Sequence, residues 1–182
     1  TSSFSSHVGG NGNIIGNYNT SVGYGVTVNG AYNTILGNGA RTSGAGTSNG
    51  VAVGHGATAG SFATVNGDGA SGVDNTSVYG AGAQGLENGC AAIGSNSVCD
   101  AGDHVSVGNT LIKRRVSNLA DGYNDDDAAT VRQLRPFADA LGGGATIING
   151  QFLPPLYNFQ DGTSHSNVGT ALLNLDSRVR TI

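Results

Sequence analysis

Val51-Ala52-Val53-Gly54-His55-Gly56-Ala57 holds the unit from which the fold of this chain is read. An apolar residue, followed by glycine at once or one residue later, recurs at Gly9, Gly23, Gly37, Gly54, Gly67, Gly80, Gly94 and Gly108, with spacings of 14, 14, 17, 13, 13, 14 and 14. A repeat this short cannot bury its own apolar face, so each copy must stack on the next and residues 1–102 are expected to form a solenoid. Glycine makes up 32 of the 182 residues, about 18%, where about 7% is usual. The excess suits tight turns repeated many times, because glycine accepts positive φ without steric cost. Function is then sought on a long repetitive surface rather than in one pocket.

Aligned on the apolar residue, Val8, Val22, Leu36, Val53, Val65, Val78, Ile93 and Val107 form one column, with Thr20, Thr34, Val51, Ala63, Thr76, Ala91 and Val105 two positions earlier. That alternation is the period of a strand with one buried face, and this column is the expected inward one. Four residues on, Val26, Ala40, Ala57 and Ser97 mark a second short inward strand. At about 3.3 Å per residue, fourteen residues supply two strands of about 17 Å and two tight turns. A three-sided β-helix would need rungs of about eighteen residues, so a two-sided parallel β-roll is expected. Its core of Val, Ala and Thr is thin. Ordering a residue's backbone costs about 1 to 2 kcal/mol and a buried CH2 returns about 0.8 kcal/mol, so several identical rolls should pack side by side.

In the rungs of Asn66 and Tyr79 one residue separates valine from glycine, and the step from Gly37 to Gly54 is three residues too long. These sites read as bulges or loops standing out of the stack. Loops on a rigid scaffold are the usual seat of recognition, so Arg41, Asn49, Asn66 and Tyr79 are candidate ligand residues, with Tyr24 beside them. Tyr18, Tyr24 and Tyr32 cluster in the first rungs, either as adhesive contacts or, for Tyr24 and Tyr32, as cover for the open end of the stack.

The net charge of -4 hides an uneven distribution, since Arg41 is the only basic residue before Lys113. No basic stripe is available for nucleic acid. No run of about 20 apolar residues exists to cross a membrane, and any leader or membrane anchor is expected outside these residues. Cys90 and Cys99, nine apart, are either a disulfide of an exported protein or two small apolar core residues.

Composition changes beyond Gly108. Between 103 and 135 stand five acids and five bases, which suggests ion pairs between elements or subunits, with Lys113, Arg114 and Arg115 set against Asp125, Asp126 and Asp127. Ala128 to Leu134 reads as a short helix with an acidic first turn, capped from the Asp125–Asp127 run and interrupted by Pro136. Residues 135–165 read as a connector with a small irregular β module. In 166–182, Val168, Leu172, Leu175 and Val179 follow 4, 3, 4 spacing behind Asn167 or Ser166 as cap, the pattern of a coiled-coil start whose apolar side faces a threefold axis.

Val53-Gly54-His55-Gly56-Ala57, then Val105-Ser106-Val107-Gly108, then Arg115-Val116-Ser117-Asn118-Leu119-Ala120-Asp121-Gly122, and finally Asp127-Ala128 leading to Gln133-Leu134, together resemble the YadA-like head and neck of trimeric autotransporter adhesins. The resemblance covers residues 1 to about 134, and the Asn167–Asp176 stretch is similar to the start of the stalk in that family. It implies a left-handed parallel β-roll over 1–102, a neck over 103–134 that passes to a neighbouring subunit, and a homotrimer on a Gram-negative outer membrane, exposed to the exterior. It further implies cell adhesion, hemagglutinin-like binding and virulence, directed at a host cell surface or matrix protein. Lys113, Arg114, Arg115, Asn118, Asp125, Asp126, Asp127, Gln133 and Leu134 are the expected neck and trimer contacts. One departure stands out: the family's Asp-Ala-Val-Asn element is here Asp127-Ala128-Ala129-Thr130.

Enzyme chemistry finds little footing. Gly54 to Gly60 looks like a dinucleotide loop without the following helix and distant acid, so no cofactor is expected. Gly67-Asp68-Gly69 with Asp74 lacks the nine-residue period of calcium repeats. His7, His55, His104 and His165 share no ligand spacing, which leaves only an ion held by three symmetry-related imidazoles as a metal option. No catalytic triad or carboxylate pair is in view, and no enzyme is expected. Two alternatives are a structural spacer displaying another domain and a left-handed β-helix acyltransferase with His55 as base.

Overall fold

A computed structural model describes residues 4–180, and the chain divides into two compact units, Thr1–Arg115 and Val116–Ile182. In the first, eight strands at Ser6–Val8, Thr20–Val22, Thr34–Leu36, Val51–Val53, Thr64–Asn66, Ser77–Tyr79, Ala91–Ile93 and Val105–Ser106 form one sheet. Seven at Asn13–Ile15, Thr27–Asn29, Arg41–Thr42, Thr58–Ala59, Ser71–Gly72, Gln84–Gly85 and Val98–Cys99 form the other. Within each sheet every strand pairs in parallel with the strand of the next rung, as in Thr20↔Thr34 and Thr58↔Ser71. The roll is therefore two-sided, as the rung length requires. A three-sided acyltransferase helix has no counterpart among the described residues.

Val65 and Val78 of the expected column are buried, but in neighbouring rungs the buried face lies one residue earlier: Ser21, Ile35, Ala52 and Ala92 point inward, while Val8, Val22 and Ile93 stand outside, the last two about half exposed. Ile35, Val65 and Val78 fill the interior beside smaller residues, and the residue directly before the turn glycine takes the outer face, as Val22, Tyr79 and Ile93 do. The same shift removes the bulges expected at Asn66 and Tyr79. Val53, Asn66, Tyr79 and Ile93 run in unbroken register, and Val65 and Val78 fill the inward place one residue earlier. The long step is a real insertion: it lengthens the turn between Thr42 and Val51. Val26, Ala40, Ala57 and Ser97 are buried, as expected of the second inward strand.

The repeating glycine is required twice over. Gly9, Gly23, Gly37, Gly54, Gly67 and Gly80 have φ between +136° and +152°, and a Cβ on any of them would come within 3.0 Å of the next rung's backbone. Two residues further on, Gly25, Gly39, Gly56, Gly69 and Gly82 are left-handed at φ +62° to +67°, and at Gly56 a Cβ would meet nothing within 4 Å. Asn96 takes the same place at φ +56°.

The buried asparagines of the first rungs are engaged, as burial demands. Asn33 donates from Nδ2 to Asn19 Oδ1 at 3.1 Å and to the Thr47 carbonyl at 2.8 Å, while its Oδ1 accepts from the Gly50 amide at 2.9 Å. At the other end the interior column is Cys90, bonded to Cys99 across the two sheets. The open choice between a disulfide and two free core thiols is thus resolved as a disulfide.

In the second unit, helix α1 (Val131–Leu141) opens at Thr130, whose hydroxyl accepts from the Gln133 amide while Gln133 answers from its side chain to the Thr130 amide. Two expectations are corrected here. The cap is Thr130, not Asp127, and the helix continues through Pro136 instead of ending before it. A proline six residues in removes one backbone bond, and the reciprocal cap together with the hairpin packed beside the helix holds the remainder. That hairpin, Thr146–Ile148 with Gln151–Leu153, turns at Asn149-Gly150, both at positive φ. A second hairpin pairs Tyr157–Asn158 with Ser164–His165, and helix α2 (Val168–Val179) begins at Asn167, whose Oδ1 accepts from the Thr170 amide.

Candidate functional site

The five candidate ligand residues are not brought together. Arg41 points out from the second sheet, Asn66 and Tyr79 lie side by side on the outer face of the first, Tyr24 sits on one row of turns and Asn49 on the other. The Tyr24 row continues through Asn38, which accepts from the Tyr24 amide, to His55, whose Nδ1 lies 2.9 Å from Asp68 Oδ1. No group of three or more metal-ligating side chains is assembled among the described residues.

The outer face of the first sheet is the most extended feature. Val8, Val22, Leu36 and Val53 occupy one register row, followed by Asn66, Tyr79 and Ile93. A flat row of branched and aromatic side chains in water marks an interaction surface.

The opposite row of turns, unnoticed in the sequence beyond its tyrosines, carries one left-handed residue per rung: Tyr18, Tyr32, Asn49, Phe62, Asn75, Gly89 and Asp103. Tyr18 stacks on Phe4 and Tyr32 with ring centroids 5.4 and 4.9 Å apart. The 14-residue interval from Phe4 to Tyr18 to Tyr32 is the signal that would have found it.

Two of the three basic residues before the unit boundary, Lys113 and Arg114, bond within their own chain. Arg114 donates to the Ser95 carbonyl at 2.6 Å, the Val107 carbonyl at 2.7 Å and Ser97 Oγ at 3.1 Å, closing the last rungs, and Lys113 donates to the Asn109 carbonyl at 2.9 Å. Charge reversal at Arg114 would strike the roll itself. In the second unit Asn118 is left-handed, and Asp125 and Asp126 are exposed. Gln133 holds the Gly122 backbone from both ends of its carboxamide. Asp121 pairs with Arg132 at 2.7 Å and accepts from the Thr130 hydroxyl at 2.5 Å.

The Thr130 hydroxyl first, and Arg132 after it, hold the Asp121 carboxyl below its ordinary range; the amides of Asn124 and Tyr123 do the same for Asp127. A carboxyl whose folded value lies below its unfolded one stabilises above the unfolded value and loses that contribution as pH falls through the folded one. Helix content of the second unit should therefore decline as pH drops below about 4. The double variant Asp121→Asn, Asp127→Asn should melt lower at neutral pH and show a flatter acid profile by circular dichroism. An unchanged acid profile would remove these carboxylates from the account.

Exposed apolar stripes run along both helices. Leu134, Phe137 and Leu141 on α1 border Ile147 and Phe152 of the hairpin. On α2, Val168, Leu172, Leu175 and Val179 are 40%, 59%, 41% and 69% exposed.

No family model and no curated protein matches the sequence. Among solved structures, the collagen-binding domain of the Yersinia adhesin YadA is similar to this chain, at 23% identity and a TM-score of 0.49, over 69% of this chain and 83% of that one.

Proposed function

We propose that this chain is the head (1–102), neck (103–134), connector (135–165) and first stalk segment (166–182) of a bacterial homotrimeric adhesin displayed outside the outer membrane. Its work is to hold a host-cell or matrix ligand through many weak contacts. The observation that carries the reading is the outward row of the first sheet, with Val8, Val22 and Ile93 left 64%, 44% and 45% exposed in a single chain. Three rolls side by side would cover such a row, and the ordered motifs from roll to heptads support the same assembly. Three copies then multiply a modest affinity through effective concentration, without any catalytic group.

The inserted turn is the expected ligand contact. Exchanging residues 41–49 for Ser71 to Asn75, which make the same passage two rungs on, should leave the trimer folded and lower attachment to host cells, collagen, fibronectin or laminin by about tenfold or more. Undiminished attachment would move the ligand surface elsewhere. A parent trimer that binds none of these surfaces would favour a structural spacer.

A further inference from the structure

Tyr18, Tyr32 and Phe62 hold backbone conformations at φ +58°, +61° and +56° that Asn49, Asn75 and Asp103 adopt at the same place in other rungs. Asparagine, aspartate and glycine take the left-handed region readily, whereas bulky residues do so rarely and at a cost. The three rings are 50%, 58% and 63% exposed, so burial does not offset that cost. Stacking returns about 0.5 to 1.5 kcal/mol per pair to Tyr18 and Tyr32, whereas asparagine would avoid the backbone cost in every rung. Strained residues kept in water point to a ligand.

We propose that this row of turns binds a neutral pyranose glycan, seated on the Asn49 rung between Tyr32 and Phe62. Phe4, Tyr18 and Tyr32 cover one another's faces, with interplanar angles of 8° and 6°, so the free face of the stack is the side of Tyr32 turned away from Tyr18. Phe62 follows two rungs later in the same left-handed conformation. At about 4.8 Å per rung the two aromatic positions are about 10 Å apart. Carbon contacts of about 3.5 to 4.0 Å on either side leave a gap suited to a puckered sugar ring more than to a flat one. Asn49, exposed on the rung between, contributes a carboxamide that both donates to and accepts from hydroxyls. Among its neighbours, Ser61 Oγ accepts from the Ser48 amide, and the Asp74 carboxylate accepts from the Ser61 amide at 2.7 Å, an anion that disfavours an acidic sugar. With no lysine or arginine on this row, neither a sulfated nor a sialylated sugar is selected.

The inference deepens the adhesin reading by naming a ligand class, and rests on it only for placing the glycan on a host surface. The test is saturation-transfer NMR on the intact chain with lactose, cellobiose and maltose. Saturation should reach the ring CH protons of at least one sugar, and affinity should fall about fivefold or more in Tyr32→Asn and in Phe62→Asn. Both variants should melt at or above the parent temperature, since asparagine suits the conformation. No transfer to any of the three sugars overturns the proposal, as does binding undiminished in both variants. A changed oligomeric mass in the variants also overturns it, because the rings would then be contacts between copies. Cell attachment without sugar binding leaves the adhesin reading standing alone, and sugar binding without cell attachment does the reverse.

Discussion

Gly54→Ala is expected to destabilise the roll by about 3 kcal/mol or more, lowering its melting temperature by more than about 12 °C. Two penalties act together. Gly54 holds φ +136°, and its added Cβ would press within 3.0 Å on the carbonyl group of Gly67. Relief by moving that rung is blocked, because Gly67 stands in the same relation to Gly80, and Gly80 to Gly94. Gly56→Asn is the matched control: φ is +64°, the space is open, and Asn96 already occupies the equivalent place. Its effect should stay within about 0.5 kcal/mol. Thermal melts in which the two variants fall together would show that rung contact is not what the glycine serves.

The second large effect concerns assembly. Helix α2 has 12 residues, too few to hold its shape unaided in water, and its 4, 3, 4 stripe is left 40% to 69% exposed. Leu172→Asp with Leu175→Asp would remove six apolar side chains from a trimer seam, about 9 to 18 kcal/mol at about 1.5 to 3 kcal/mol for each one fully buried. Light scattering at micromolar concentration should then return a single chain of 18.1 kDa, while Leu173→Asp, off the stripe, should keep three. Trimers that survive the double change would place the holding contacts on the first sheet's outer row instead. A monomeric parent would end the trimer reading.

Repeat length and glycine spacing made the two-sided roll legible, because 13 to 17 residues per rung admit little else. The phase of its strands was not legible. With Thr-Ser-Val and Thr-Ile-Leu at equivalent places, apolar residues occupy both faces, and the pattern alone does not say that Ser21 goes in and Val22 out. The bulges at Asn66 and Tyr79 were artefacts of that phase. Thr130 and Gln133 form an S/T-x-x-E/Q cap that could have been read directly, but three consecutive aspartates beside it drew the assignment to Asp127. The left-handed aromatic row depends on register between rungs, which no single repeat displays.

Arg114 and the Cys90–Cys99 bond lie at the end of the roll where the chain leaves it. If the chain is held at a surface, as proposed, it is pulled from its C-terminal side, and tension entering at Arg115 would peel rungs one hydrogen bond after another instead of shearing them together. The guanidinium bonds give way first, then the short pairing of Val105–Ser106 with its neighbour. There the unravelling meets a covalent link. The loop between the two cysteines, about 30 Å of chain at full stretch, stays withheld from the lengthening tether, and the load passes through the sulfur bond to Cys90, so this rung yields no length even where its pairing is lost.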